Sequence, residues 1–125
     1  ISCDYINKNN KYFTTHSKAK LISFELDDYL KKIKKINHGE LLLNSVEKDG
    51  TGQGFDKKII KYLKKINRPI ILMGGAGKIE HFLEVLKNKN IDAAATGNLF
   101  NFLGDGLKKT RLALIKKKIN LVNFS

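Results

Sequence analysis

The chain of 125 residues holds one cysteine, one proline and no tryptophan. A lone Cys3 excludes an intramolecular disulfide and any metal site built from cysteines. Its expected state is a reduced thiol on a half-buried strand of a cytoplasmic protein. No apolar run approaches the roughly 20 residues needed to cross a bilayer, and nothing resembles a signal peptide, so no membrane partner is expected. Arginine is nearly missing as well: of 24 basic residues only Arg68 and Arg111 are arginines. That scarcity decides how the net charge of +12 is read. Such a charge invites a polyanion. The lysines, however, fall at solvent-side helix positions such as Lys31-Lys32, Lys34-Lys35, Lys57-Lys58 and Lys116-Lys117-Lys118. Specific readers of nucleic acid rely on the bidentate reach of arginine. A solvated lysine surface is the expectation, with nucleic acid set aside as a partner.

What is present is an alternation of short apolar runs and amphipathic stretches. Ile1 to Ile6 reads as a strand, Asn7 to Asn10 as a loop, and Lys11 to Thr15 as a strand-like excursion. Ser23 can cap a helix reaching about Ile36, with Leu26, Leu30 and Ile33 on one stripe. Glu40 to Asn44 reads as a second strand, its consecutive leucines pointing to burial on both faces. Asp56 can cap the next helix, in which Ile59, Ile60, Leu63 and Ile66 recur at helical spacing. The single proline, Pro69, stands where a strand begins and a missing N–H costs least. Ile70 to Met73 forms the third strand and Lys78 to Lys89 a helix with Ile79, Phe82, Leu83 and Leu86 on one face. Ile91 to Ala95 is the fourth strand; a last helix spans about Gly106 to Lys118, with Leu107, Leu114 and Ile115 as its apolar side. Alternating β and α with short loops predicts an α/β fold with parallel strands. Four such units make either a small open sheet or half of a closed barrel, and periodicity does not separate the two. The length is that of one domain, well short of the roughly 250 residues of a complete (β/α)₈ barrel. The strand-like opening Ile1-Ser2-Cys3-Asp4 reads as part of a longer chain.

The residues that could carry chemistry lie where strands end. Asp4 near the end of an apolar strand would point toward a barrel mouth and suit general acid/base work, or would cap backbone amides. Asp49-Gly50 sits in a glycine-rich stretch with Thr51, Gly52 and Gly54, longer than a tight turn needs, as in a loop that covers a substrate. Gly74-Gly75-Ala76-Gly77 opens a helix, where backbone N–H groups can approach a phosphate. Thr96-Gly97-Asn98 ends the following strand, and the pair matches the phosphate cradle that barrels build from their last two βα loops. His16, His38 and His81 have no metal-ligand spacing and read as surface or packing residues. No metal and no cofactor is called for.

These residues match a family. The chain resembles HisF, the cyclase subunit of imidazole glycerol phosphate synthase, over its C-terminal half. The resemblance rests on Asp4, Gly39-Glu40-Leu41-Leu42-Leu43-Asn44-Ser45, Asp49-Gly50-Thr51 with Gly54-Phe55-Asp56, Gly74-Gly75-Ala76-Gly77 with Glu80-His81-Phe82-Leu83, and Leu99-Phe100-Asn101-Phe102. It implies a (β/α)₈ TIM barrel of which residues 1–125 supply strands five to eight as a single domain. It further implies that ammonia from a partner glutaminase crosses the barrel and reacts with a phosphoribosyl-formimino nucleotide. The products are imidazole glycerol phosphate and an aminoimidazole carboxamide ribotide, in histidine biosynthesis. By resemblance Asp4 is a catalytic aspartate and Asp49 a supporting one. Asn44, Ser45, Gly74, Gly75, Thr96, Gly97 and Asn98 belong to the region that binds the phosphorylated substrate, and Glu40 to a charged gate for ammonia.

The chain also departs from the family. The first catalytic aspartate and the second phosphate site belong to the other half barrel, so these residues alone are expected to self-associate or to need that half, without turnover. Asn44-Ser45 stands where histidine-pathway enzymes carry Thr-Ser, and with Thr15-His16 it is similar to a HisF-like paralogue that delivers ammonia to a bacterial surface-sugar amidotransferase. Asn98 stands in place of a serine. A non-catalytic phosphate-binding half barrel is a further alternative.

Overall fold

The computed structural model describes residues 1–16, 21–37, 39–97, 99 and 105–122. Strands β1 (Ser2–Lys8), β2 (Lys11–His16) and β3 (Leu21–Glu25) precede helix α1 (Leu26–Ile33). Then come β4 (Leu41–Ser45), a 3₁₀ turn (Lys57–Ile59) running into the short α2 (Ile60–Leu63), β5 (Ile70–Met73), α3 (Ile79–Leu86), β6 (Ala93–Ala95) and α4 (Gly106–Lys116). One sheet joins the strands in the order β3-β2-β1-β4-β5-β6. β1, β4, β5 and β6 are parallel, with Asp4 opposite Asn44, Asn44 opposite Met73 and Met73 opposite Ala95.

The excursion at Lys11 is a hairpin arm. Asn9 and Asn10 both adopt positive φ, 50° and 62°, the left-handed pair that a two-residue hairpin turn needs and that asparagine tolerates. β1 therefore runs to Lys8 instead of ending at Ile6. A larger correction concerns Ser23. It lies inside β3, which pairs antiparallel with β2, and α1 starts at Leu26 behind Glu25, with no side-chain cap bond. The free edge of β2 recruits this segment into the sheet, and that long-range pairing outweighs the local capping signal. α1 ends at Ile33, three residues before the expected Ile36. Asp56 does cap the 3₁₀ turn, accepting from Lys58 N at 3.1 Å.

Among the described residues, helices cover one face of the sheet only. Residues alternate sides along a strand, and Cys3, Tyr5, Leu41, Leu43, Ile70 and Leu72 form one core with Leu26, Leu30, Ile33, Ile59, Leu63, Phe82 and Val85. Leu42, Ile71, Met73, Ala93 and Ala95 point the other way and stay half-buried outside that core. The three consecutive leucines are thus not buried on both faces; Leu42 is the exception. An open doubly wound sheet reverses its strand order and carries helices on both faces. Here each parallel strand pairs with the one before it and, among the described residues, one face lacks helices, which is about half of a (β/α) barrel. At α4, Gly106, Thr110 and Leu114 face inward, whereas Leu107 and Ile115 are exposed, against the expected apolar side. No helix of the described residues is long and apolar enough to cross a membrane.

Cys3 lies on the core side, 5% exposed, in contact with Tyr29 of α1. Burial, with Asp4 adding to it, pushes its thiol from the usual 9.0 up to about 12. The folded state thus keeps a proton that the unfolded chain releases near 9.0. The resulting stabilisation is complete below that pH and is lost as pH climbs toward about 12. Denaturant titrations across this range should show a steeper decline for the wild type than for Cys3→Ala. In addition, native Cys3 should resist iodoacetamide at pH 8 while the urea-unfolded chain reacts; equal rates would contradict the burial.

Candidate active site

The C-terminal ends of the parallel strands bring together Asp4, Asn44, Ser45 and the glycine run from Gly74. Asp4 is third in β1, but parallel pairing with β4 ends one residue later, at Tyr5–Ser45. It therefore stands at the rim of the barrel-like part, before β1 continues into the hairpin. Its side chain shares the face of Asn44, and Asn44 Nδ2 donates to Asp4 Oδ1 at 3.0 Å. The Asn44 Oδ1 at the other end of the amide is buried and has no hydrogen-bond partner among the described residues. A cleft of about 270 Å³ borders Asp4, with Thr14, Thr15, His16 and Ser23 on its hairpin side.

Ser45, 2% exposed, organises the loop that follows. Its carbonyl accepts from Lys48 N at 3.1 Å and from Asp49 N at 2.9 Å, so the backbone of Asp49 is held while its side chain is exposed. Thr51 Oγ1 donates to Lys48 O at 2.7 Å and tightens the same turn. A cleft of about 440 Å³, lined by Asn7, Tyr12, Ser45, Lys48, Asp56 and Lys57 among others, lies between this loop and the hairpin.

The glycine run after β5 packs against that loop. Gly54 N donates to Gly75 O at 2.6 Å. A Cβ at Gly75 would collide with the Gly54 carbonyl, and one at Gly77 with the Gly52 carbonyl. Gly74 and Gly75 also hold φ of +97° and +96°, where a side chain is strained. Sequence spacing suggested an anion cradle; the structure shows that these glycines also let two backbones touch. The role of His81 was not legible in the sequence beyond packing. Its Nδ1 accepts from Gly77 N at 3.1 Å and its ring lies against Gly54, so it clips the two loops together. Gly54, the one residue whose missing side chain makes room for the ring, was the only available signal.

Thr96 is half-buried and Gly97 exposed at the end of β6, next to the Met73 side chain. Asn98, His38 and the stretch Phe100-Asn101-Phe102 lie outside the described residues. Glu40 is exposed immediately before β4, on the rim opposite Asp4 and Asn44. Among the described residues no cluster of His, Cys, Asp and Glu is placed to hold a metal ion.

A carboxylate and an amide at the C-terminal rim of parallel strands, with glycine-rich loops beside them, stand where (β/α) barrels carry their sites. The model of the histidine biosynthesis protein family matches residues 1–105, and the chain belongs to that family. It is 41% identical over 99 residues to an imidazole glycerol phosphate synthase subunit HisF of Clostridium botulinum (strain 657 / Type Ba4), covering 78% of this chain and 37% of that protein. A protein of the same name from Sulfurisphaera tokodaii is 37% identical over 111 residues, 87% of this chain and 43% of the relative. Another, from Prosthecochloris aestuarii, is 31% identical over 121 residues, 95% and 48% respectively. The chain thus spans between about a third and a half of the length of the curated relatives it matches.

The contact between the loops yields a stability test. Gly75→Ala should lower the unfolding free energy by about 1–3 kcal/mol, from positive φ and the collision with Gly54 together. Gly39→Ala, where a Cβ meets nothing within 4 Å, serves as the control. Urea midpoints of the two variants check this; equal midpoints would mean that the loops are not packed as described.

Proposed function

We propose that residues 1–125 form strands five to eight of a (β/α)₈ barrel that acts as the cyclase subunit of imidazole glycerol phosphate synthase. Ammonia from a glutaminase partner converts a phosphoribosyl-formimino nucleotide into imidazole glycerol phosphate and an aminoimidazole carboxamide ribotide, in the cytoplasm. The observation that carries this reading is the Asp4–Asn44 pair at the C-terminal rim, beside two packed glycine-rich loops. Family membership and the names of the relatives support it.

Asp4 serves as the general acid/base, exchanging protons with the reacting nitrogens. Asp49, on an exposed loop with a fixed backbone, closes over the substrate. One substrate phosphate is held by Gly74 and Gly75 near the start of α3 together with Thr96 and Gly97 at the end of β6, while Ser45 supports that wall; Asn98 is assigned to the same phosphate from the sequence. Glu40, on the opposite rim, belongs to the entrance for ammonia. The helix-free face carrying Leu42, Ile71 and Met73 requires a second half barrel as cover, since parallel sheets are covered on both sides. The second reading, ammonia delivery to a sugar amidotransferase, is favoured by Asn44-Ser45 together with Thr15-His16, which resemble the HisF-like paralogue.

Full-length protein supplied with free ammonia should convert the formimino ribotide, and Asp4→Asn should lower kcat by about 10²-fold or more. A folded protein with no turnover would refute the cyclase reading and leave the sugar-amidation one standing. Light scattering on the isolated 125-residue chain should show self-association through the uncovered face; a stable monomer would contradict the half-barrel assignment.

A further inference from the structure

Asn44 has two ends with different surroundings, and both bear on Asp4. A carboxylate only accepts hydrogen bonds, so the amide nitrogen must face it and Asn44 Nδ2 is the donor at 3.0 Å. Among the described residues this is the hydrogen bond made to the Asp4 side chain. A terminal carboxylate rotates through a broad torsional well; one directed bond from a neighbouring strand narrows that rotation. The other end is costly: Oδ1 is buried without a partner, and an unsatisfied buried acceptor demands an explanation. The explanation is steric. Oδ1 occupies the space left by the absent side chain of Gly74, where a Cβ would come within 3.1 Å of it and 2.7 Å of Ser45 O. The amide is therefore wedged between Asp4 and Gly74. It keeps the donor on the carboxylate at the expense of its own acceptor.

We propose that Asn44 is a positioning residue: wedged by Gly74, it pins Asp4 Oδ1 so that the second carboxylate oxygen is presented to the reacting nitrogen. This rests on the cyclase reading and replaces direct substrate binding by Asn44 with action through Asp4. It also accounts for asparagine at this place. Asn44 is the register partner of Asp4, and its planar amide reaches across the ladder while its far end fits beside a glycine.

The test has two arms in the full-length protein. With free ammonia, Asn44→Ala should lower kcat about a hundredfold while KM for the formimino ribotide stays within about twofold. Asn44→Thr, which restores a donor, should recover part of the loss. Gly74→Ala, whose Cβ would crowd both Asn44 Oδ1 and Ser45 O, should lower kcat as well, with KM rising too because the same loop holds the phosphate. A raised KM with unchanged kcat, or a normal kcat in Asn44→Ala, would overturn the proposal. In the second arm, the Asn44 side-chain amide proton resonance should lie downfield and move upfield in Asp4→Asn and in Gly74→Ala. A resonance that does not move would also overturn it. Because the resonance needs no turnover, a wild type that is inactive on the ribotide rejects the cyclase reading alone and leaves the pinning decided by the second arm.

Discussion

The site depends on two stretches of backbone being able to touch. Gly52 to Gly54 after β4 and Gly75 to Gly77 after β5 approach so closely that a single Cβ at either Gly75 or Gly77 would separate them. The Gly54–Gly75 hydrogen bond of 2.6 Å joins the loops, and the His81 ring, accepting from Gly77 and lying on Gly54, holds the joint from the α3 side. The rest follows from this contact. The Ser45 carbonyl can fix Lys48 and Asp49 because the loop folds back, and Gly74 can lie beside Asn44 because the next residues lead away toward Gly54. The strands provide a rigid floor, and the glycines determine how near to it the loops can come.

How much of this could be read beforehand follows from which interactions are local. The parallel strands and the helix faces of α1 and α3 were legible because hydrophobic period is a property of a dozen consecutive residues. Asp56 as a cap was legible for the same reason, its partner being Lys58, two residues on. Ser23 misled because the edge that captures it belongs to a hairpin earlier in the chain, where the Thr14 hydroxyl accepts from Phe24 N, ten residues on, at 3.2 Å. Leu42 misled because three adjacent leucines look alike whether one face or both are covered. Asp4 and Asn44 each stand out in the sequence, but their bond spans 40 residues. Only the register of β1 on β4 brings them side by side.

The positive charge tells a similar story. The lysines of α1, of the 3₁₀ turn and of the end of α4 are exposed, as their helical positions required. Several are engaged nearby: Lys31 with Asp28 at 2.9 Å, Lys57 with Glu84 at 2.8 Å and Lys32 over the Phe24 ring at 4.1 Å. Exposed pairs of this kind contribute little to stability. They lie apart from the small polar cluster at the strand ends, where the Asn44 amide meets the Asp4 carboxylate at 3.0 Å.

The strand order carries one more consequence, for how the chain reaches this state. Among the parallel strands each pairs with its predecessor: β4 with β1, β5 with β4, β6 with β5. Parallel pairing is slow when partners are remote, because a long loop must close before any contact repays it. Here every addition joins an edge already made by residues that leave the ribosome earlier. The sheet can therefore grow in the direction of translation, one strand and its helix at a time. The candidate site then comes into being in steps: Asp4 first, Asn44 when β4 docks, and Gly74 to complete the wedge once β5 is in place.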